Sequence, residues 1–375
     1  MALQFVVLPL LAQTFSLSYA QVGMLRSVSH TAMSLLELPA GLFAERLGER
    51  RLLVVGLLGA AFGYLCVAFA SNFTFIAVGF FIAGAGAALQ HSLASSVLVK
   101  RFEGAARRRA LGTYNSAGDA GKLSFTAAFS AAAGAGFSWN WVITALACVT
   151  LGFVALLYWL LRPESKASTP EATEDQEASS HPKGWGITHG LRFTTLALMV
   201  FLDSIVQAVF LTFLAFIMQA KGAGQGTAGA AVVLALAGGM VGKFACGFLA
   251  AHLGDRSTFI LVQVLTVLGL GLITILSVEQ ALVFLPLLGL VVQGSTTVSY
   301  GAVAEFVAPG YQARGYALIY STSAISSVVG PLLLGWLADV NGLNAVLWAL
   351  AALSAMTVSF ASVLPGRVAS PRGGQ

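Results

Sequence analysis

Asp119 and Lys122 stand three residues apart, with Asn115 one turn earlier, and on a helix all three fall within an arc of about 60°. A carboxylate and an ammonium at that spacing can pair with each other. The proton affinity of such a carboxylate depends on which partner holds it, so a change of partner would move a proton. Similar polar groupings recur along the chain. Asp203 and Gln207 lie four apart, His91 stands four before Ser95, and Gln293, Thr297 and Tyr300 share a second arc of about 60°. Arg26, His30, Glu37 and Gly41 form a third stripe. Each group taken singly fits a structural hydrogen bond or a self-neutralising ion pair as well as it fits a binding contact.

What gives these residues weight is their surroundings. The chain has 375 residues with 20 Lys and Arg and 15 Asp and Glu, so 9% is charged, and 57% is hydrophobic. Soluble domains carry roughly a quarter charged residues. Soluble enzymes, disordered tails and nucleic-acid binders are excluded on this ground, and a membrane protein is implied. Cys66, Cys148 and Cys246 lie in apolar runs without CxxC spacing, and the five histidines show no ligand spacing. Neither disulfides, nor a metal site, nor a cofactor is expected.

Apolar runs long enough to span a bilayer lie near 21–43, 52–71, 73–98, 110–133, 140–161, 192–217, 226–248, 258–277, 280–305, 314–338 and 342–364. The first apolar run, MALQFVVLPLLAQ, has 13 residues, too few for a hydrocarbon core of about 30 Å at about 1.5 Å per residue. It lacks a basic leading segment and a cleavage site, which predicts an incomplete first spanning helix rather than a signal peptide. Residues 162–191 are rich in Glu, Ser, Pro and Thr without apolar period, and read as a solvated linker. The expected organisation is an all-α membrane protein. Its predicted parts are a six-helix bundle at 1–161, the linker, a second six-helix bundle at 192–364 and a tail at 365–375. Continuous apolar runs exclude a transmembrane β-barrel.

With the linker placed in the cytoplasm, 16 of the 20 Lys and Arg fall on that side, the positive-inside bias. This predicts a multi-pass protein of a bacterial inner membrane with linker and C-terminus cytoplasmic. An internal repeat follows. GLFAERLGER at Gly41–Arg50 aligns with GFLAAHLGDR at Gly247–Arg256, and the same offset of 206 residues takes Arg108 to Arg314, Tyr114 to Tyr320 and Glu37 to Lys243. Two related halves with a site between them is the plan of a rocking transporter.

The segment Gly41-Leu-Phe-Ala-Glu45-Arg46-Leu-Gly48-Glu49-Arg50-Arg51 resembles the loop 2–3 signature of the major facilitator superfamily, GxLaDRxGRRxx. The resemblance covers essentially the whole chain. Glu45 replaces the usual Asp and Glu49 a commonly basic residue. Leu8–Val22 looks like the end of helix 1 in efflux-type members such as the fosmidomycin-resistance group. Helix 5 departs from the antiporter pattern GxxxGPxxGG, carrying Gly118-Asp119-Ala-Gly121-Lys122. The resemblance implies a cavity lined by helices 1, 4, 7 and 10. It makes His91, Asn115, Asp203, Gln207, Gln293, Thr297 and Tyr300 candidate substrate contacts and Asp119 and Lys122 candidate proton-coupling groups. Glu37, Gly41, Glu45, Arg46, Gly48, Arg50, Lys243, Gly247 and Arg256 are candidate gate residues, which would latch the halves in one conformation. The same loop is also consistent with topology charges beside a tight turn.

The expected function is secondary transport by alternating access, with proton-coupled efflux of a small organic compound by a monomer. Uptake of a small organic anion or metabolite is the alternative, since Lys122 or Arg26 could neutralise a carboxylate. A non-transporting receptor or assembly subunit is the alternative of another class. There is no Walker A loop to drive ATP-coupled transport, and no His/Asp/Glu cluster with catalytic spacing, so an enzyme is not expected.

Overall fold

A computed structural model describes the backbone of residues 1–101, 104–160, 186–308 and 312–364. Within its helices the side chains of 37–46, 91–92, 95–101, 104–112, 115, 160, 304 and 312–313 lie outside the described residues. Twelve α-helices follow in order: α1 (Gln4–Phe15), α2 (Tyr19–Leu47), α3 (Glu49–Ala68), α4 (Phe73–Arg101), α5 (Gly104–Gly134) and α6 (Trp139–Leu160) form the first half. The second half is α7 (Gly190–Ala220), α8 (Gln225–Leu253), α9 (Asp255–Ile275), α10 (Val278–Gly301), α11 (Gln312–Asn341) and α12 (Leu343–Phe360). Every backbone donor and acceptor in lipid must be satisfied within the segment, so continuous apolar sequence resolves into helices. Nine helices among the described residues are long and apolar enough to cross a bilayer. The long helices α2 and α5, which carry Arg26, His30, Asp119 and Lys122, are not among those nine.

The exterior bears out a membrane setting. Trp141 and Trp159, near opposite ends of α6, are exposed, as are Leu268, Val283, Leu287, Trp336 and Trp348. Lipid accepts such a surface, and tryptophans near helix ends fit the interfacial belts. Inside each half, small residues let helices close up. A Cβ on Gly63 of α3 would fall 2.5 Å from the backbone of Gly79 and Ala83 on α4. Side chains there would drive the two helices apart.

The repeat is written in the turns. Backbone φ is positive at Ser16 and Gly222, at Gly48 and Gly254, and at Gly136 and Gly342. Each pair is separated by the offset of 206 found in the sequence. Gly48 and Gly254 precede α3 and α9 with φ of 84° and 85°, a left-handed region that favours glycine. The signature's second glycine is thus required by backbone conformation; a Cβ there would meet nothing within 4 Å.

Helix ends extend past the predicted apolar runs because polar residues continue the turns outside the apolar core. One end differs in kind. Helix 10 was expected to run to 305, but α10 stops at Gly301 and a 3-10 segment, Ala302–Phe306, follows. Beyond it the backbone pairs with the end of the expected linker. Thr188 N–H donates to the Phe306 carbonyl at 3.0 Å and Ala308 N–H to the Gly186 carbonyl at 2.8 Å. A straight continuation of the helix would not present these groups. Residues 162–185 and the tail from 365 lie outside the described residues.

The halves meet along two related seams, α2 with α11 and α5 with α8. Both are tight at the end bearing the α7–α8 turn and Lys221. A Cβ on Gly335 would fall 2.5 Å from the Tyr19 carbonyl, and one on Gly226 would fall 2.6 Å from the Gly134 Cα. Gln225 Nε2 donates to Gln13 Oε1 at 3.0 Å. At the same end Asp339 of α11 accepts from the first two N–H groups of α2, Tyr19 at 2.7 Å and Ala20 at 2.9 Å.

Candidate functional site

Between the halves lies a cavity of about 430 Å³. Its polar wall is built by Arg26 and His30 of α2, Gln90 of α4, Asp119 and Lys122 of α5, Lys243 of α8 and Gln293 of α10. Phe5, Met33, Leu123, Leu211, Leu236 and Met240 supply apolar surface. A smaller cavity of about 270 Å³ shares Lys122 and runs between α3, α5 and α6. Tyr64 in its wall has a buried hydroxyl without a hydrogen-bond partner among the described residues.

The centre of the larger cavity is Asp119. Its Oδ1 is 2.8 Å from Lys122 Nζ on the same helix, and its Oδ2 is 3.1 Å from Lys243 Nζ in the other half. Though mid-helix, the Lys122 and Lys243 side chains are 49% and 41% exposed and Asp119 is 21% exposed. The cavity is thus reachable from outside the molecule, and the Lys221 end is the one closed by the contacts above. Sequence spacing anticipated the Asp119–Lys122 pair. It read Lys243 as a gate residue at the contact between halves, and the structure places its Nζ as the second cation of Asp119.

Arg26 is turned into the bundle and is 5% exposed, rather than reaching outward to the interface. Its Nη1 donates to the Met1 carbonyl at 3.1 Å and to Gln4 Oε1, and the guanidinium lies 4.3 Å over the Phe5 ring. Ser29 Oγ donates to the same Gln4 oxygen at 3.1 Å. These partners are neutral, and Arg26 Nε and His30 Nε2 are buried without a hydrogen-bond partner among the described residues.

Asp203, 4% exposed, lies elsewhere, sealed among α7, α9 and α10. It accepts from Gln263 Nε2 at 2.6 Å, Ser295 Oγ at 2.8 Å and Gln207 Nε2 at 2.9 Å. Gln207 also exchanges hydrogen bonds with Thr296, at 2.8 and 3.0 Å. Neither Asp203 nor Gln207 lines the larger cavity.

The arc expected to unite Gln293, Thr297 and Tyr300 is divided among three neighbours. Gln293 faces the cavity, with Nε2 donating to the Ala235 carbonyl at 3.1 Å. The Thr297 methyl lies 3.5 Å from where a Gly247 Cβ would stand. The Tyr300 ring packs edge-on to Tyr320 with centroids 5.0 Å apart. Of the gate residues, Arg50 stays within its own half: it donates to the Tyr158 carbonyl at 2.5 Å and stacks 4.5 Å over that ring. Arg256 is exposed at the start of α9. The side chains of Glu37, Glu45, Arg46, His91 and Asn115, and the surroundings of Gly41, lie outside the described residues.

Sequence reasoning did not single out Gln90, Gln263, Ser295 or Asp339. Glutamine and serine are common in membrane helices, and no spacing marked these. Asp339 was hidden by its position near a helix end, where a carboxylate needs no explanation.

Two pseudo-symmetric helical bundles enclosing a charged cavity inside an apolar shell define a polytopic membrane transporter fold. The chain belongs to the major facilitator superfamily, whose family model matches residues 1–201 and 196–374. The "Tetracycline resistance protein, class G" of Vibrio anguillarum is 34% identical over 110 residues, a match spanning 28% of this chain and 28% of that protein. Two solved structures share the fold at low identity. One is a bacterial homologue of the human lysosomal transporter Spinster in an inward-facing and occupied conformation. It has a TM-score of 0.76 at 17% identity, over 96% of this chain and 92% of that one. The other is a variant of the nucleoside transporter NupG, with a TM-score of 0.76 at 12% identity over 97% and 96% of the two chains.

Proposed function

We infer that this protein is a secondary transporter that works by alternating access and exports a small organic compound in exchange for protons. The observation that carries the reading is Asp119, held at once by Lys122 of its own helix and by Lys243 of the opposite half in the wall of the cavity between the halves. Rocking of the halves, 1–161 against 192–364 about the linker, changes the distance across α5 and α8. A carboxylate that loses one cation to such movement is the group whose proton occupancy follows conformation. Binding of substrate to either lysine would have the same effect, which couples the two events.

In this reading Gln293, with His91 and Asn115, meets substrate, while Asp203, Gln207, Thr297 and Tyr300 fix α10 from behind. Glu37, Gly41, Glu45, Arg46, Gly48, Arg50, Gly247 and Arg256 belong to the two related loops that would close the open end. In this reading the cavity opens at the Arg50 end, and the positive-inside bias supports a cytoplasmic position for that end in a bacterial inner membrane, with the described conformation inward-open and the protein a monomer.

The test is flux into inverted membrane vesicles driven by a pH gradient, with tetracycline first because of the partial relative, then a panel of small organic compounds. Asp119→Asn should lower driven flux at least about tenfold, within the usual range of a coupling energy. Unchanged flux in that variant removes the coupling role. No driven flux of any compound removes the transport reading.

A further inference from the structure

The charge of the cavity wall is unbalanced. Among the described residues, three basic side chains line it, Arg26, Lys122 and Lys243, against one carboxylate, Asp119. Both lysines already share that carboxylate. Arg26, nine-tenths buried, has among the described residues only the neutral oxygens of Gln4 and Met1 and the Phe5 ring as partners, and its Nε has none there. Cationic groups kept away from water without matching anions are costly.

We propose that this cavity binds an organic anion with an apolar body, its carboxylate or phosphate held by Arg26 and Lys243 in place of Asp119. A guanidinium offers a planar fork that suits both oxyanions, and Lys243 adds a compact charge from the opposite half. Phe5, Met33, Leu211 and Met240 supply the apolar surface beside them. The volume of about 430 Å³ suits a ligand of ordinary small-molecule size. An anion bridging Arg26 and Lys243 spans the halves, as Asp119 and Lys243 do now. The ligand therefore competes with the internal carboxylate for the same cation. This deepens the transport reading by naming the class of substrate, and rests on that reading only for calling the ligand a substrate.

The probes are three molecules of one shape: 2-naphthoate, neutral 2-naphthamide and the cation 2-naphthylmethylammonium. Binding to the full chain in phosphatidylcholine nanodiscs is followed by calorimetry. Naphthoate should saturate one site per chain and bind better than the other two. Lys243→Gln and Arg26→Gln should each weaken it about tenfold, the scale of one charge-assisted contact. Asp119→Asn should tighten it several-fold by removing the competitor, an outcome that loss of structure would not produce. Lys243→Gln, at a half-exposed side chain, keeps the test decisive if Arg26→Gln fails to fold. Preference for the ammonium, no saturable naphthoate binding, or naphthoate binding insensitive to Lys243→Gln would overturn the proposal.

Repeating the titration with phosphatidylglycerol in the disc separates two sources of anion. Competition by the lipid assigns the site to a headgroup and its absence assigns it to a soluble solute, and both keep the charge class. Naphthoate binding without driven flux of any compound sinks the transport reading alone. Driven flux of cations only sinks the anion alone.

Discussion

Asp119 of the first half and Asp203 of the second both lie mid-helix, and the two are held in opposite ways. Asp119 lies in the open cavity between two lysines, one of them from the other half. Asp203 is sealed within the second half by Gln207, Gln263 and Ser295, with no ion pair among the described residues. The partners of Asp119 include a group that moves relative to it when the halves rock. Those of Asp203 ride on α7, α9 and α10, all in one bundle. A charge that spans the seam can report conformation, whereas a hydrogen-bonded network inside a bundle holds that bundle's shape. The difference lies in which elements supply the partners, since both residues are aspartates on membrane helices.

The sharpest way to break this contrast is to remove both carboxylates and compare stability. Asp203→Ala leaves the donors of Gln263, Gln207 and Ser295 buried with fewer acceptors. At about 1–3 kcal/mol for each buried polar group left unpaired, the total cost should be several kcal/mol. Asp119→Ala removes a partly exposed pair and should cost less than about 1 kcal/mol. Thermal unfolding in detergent measures both. Equal losses would mean that the cavity carboxylate is as structural as the sealed one.

A smaller effect should separate the two lysines of Asp119. Lys243→Gln cuts the one charge contact that, among the described residues, the opposite half gives to Asp119, and should shift the balance between conformations up to about fivefold, near 1 kcal/mol. Lys122→Gln cuts a contact within one helix. Exposed pairs of that spacing contribute about 0.3–0.5 kcal/mol, so the balance should move by less than a factor of about three. Spin labels at Leu47→Cys and Leu253→Cys, on a chain cleared of Cys66, Cys148 and Cys246, report the opening of the Arg50 end through their distance distribution. Equal shifts for the two lysine variants would remove the seam from the argument.

The contrast also marks how far the sequence was legible. Apolar runs located the helices, because lipid forces every such run to satisfy its own backbone. The repeat located the turns, since Gly48 and Gly254 must adopt the same left-handed conformation. The Asp119–Lys122 pair was legible because it is local. The Asp119–Lys243 pair joins residues 124 apart, and nothing on either helix says which neighbour its polar face meets. Glu37 and Lys243 are equivalent by the repeat, yet that equivalence pointed to a shared gate role rather than to Asp119. Thr296 and Thr297 show the same limit at finer grain. Adjacent threonines differ by about 100° on a helix, so one enters the Asp203 network and the other packs toward α8. Periodicity gives a face, and only packing says what the face touches.

The smallest effect concerns the closed end, where the two seams are not alike. On α2 and α11, Asp339 receives the Tyr19 and Ala20 N–H groups at 2.7 and 2.9 Å, tying the halves through the start of α2. The repeat places Ala133 at the equivalent point of α5, so the other seam closes there by contact of Gly134 with Gly226 instead. A carboxylate at a helix start gains about 0.3–1 kcal/mol from unpaired N–H groups and their dipole. Asp339→Asn keeps an acceptor and loses the charge, so the closed end should open two- to five-fold more often in the same spin-label measurement. The wild-type distribution should move the same way as salt rises, because this contact is exposed to solvent. The variant should lose most of that salt response. Retention of the full response would place the salt-sensitive charge elsewhere on the seam.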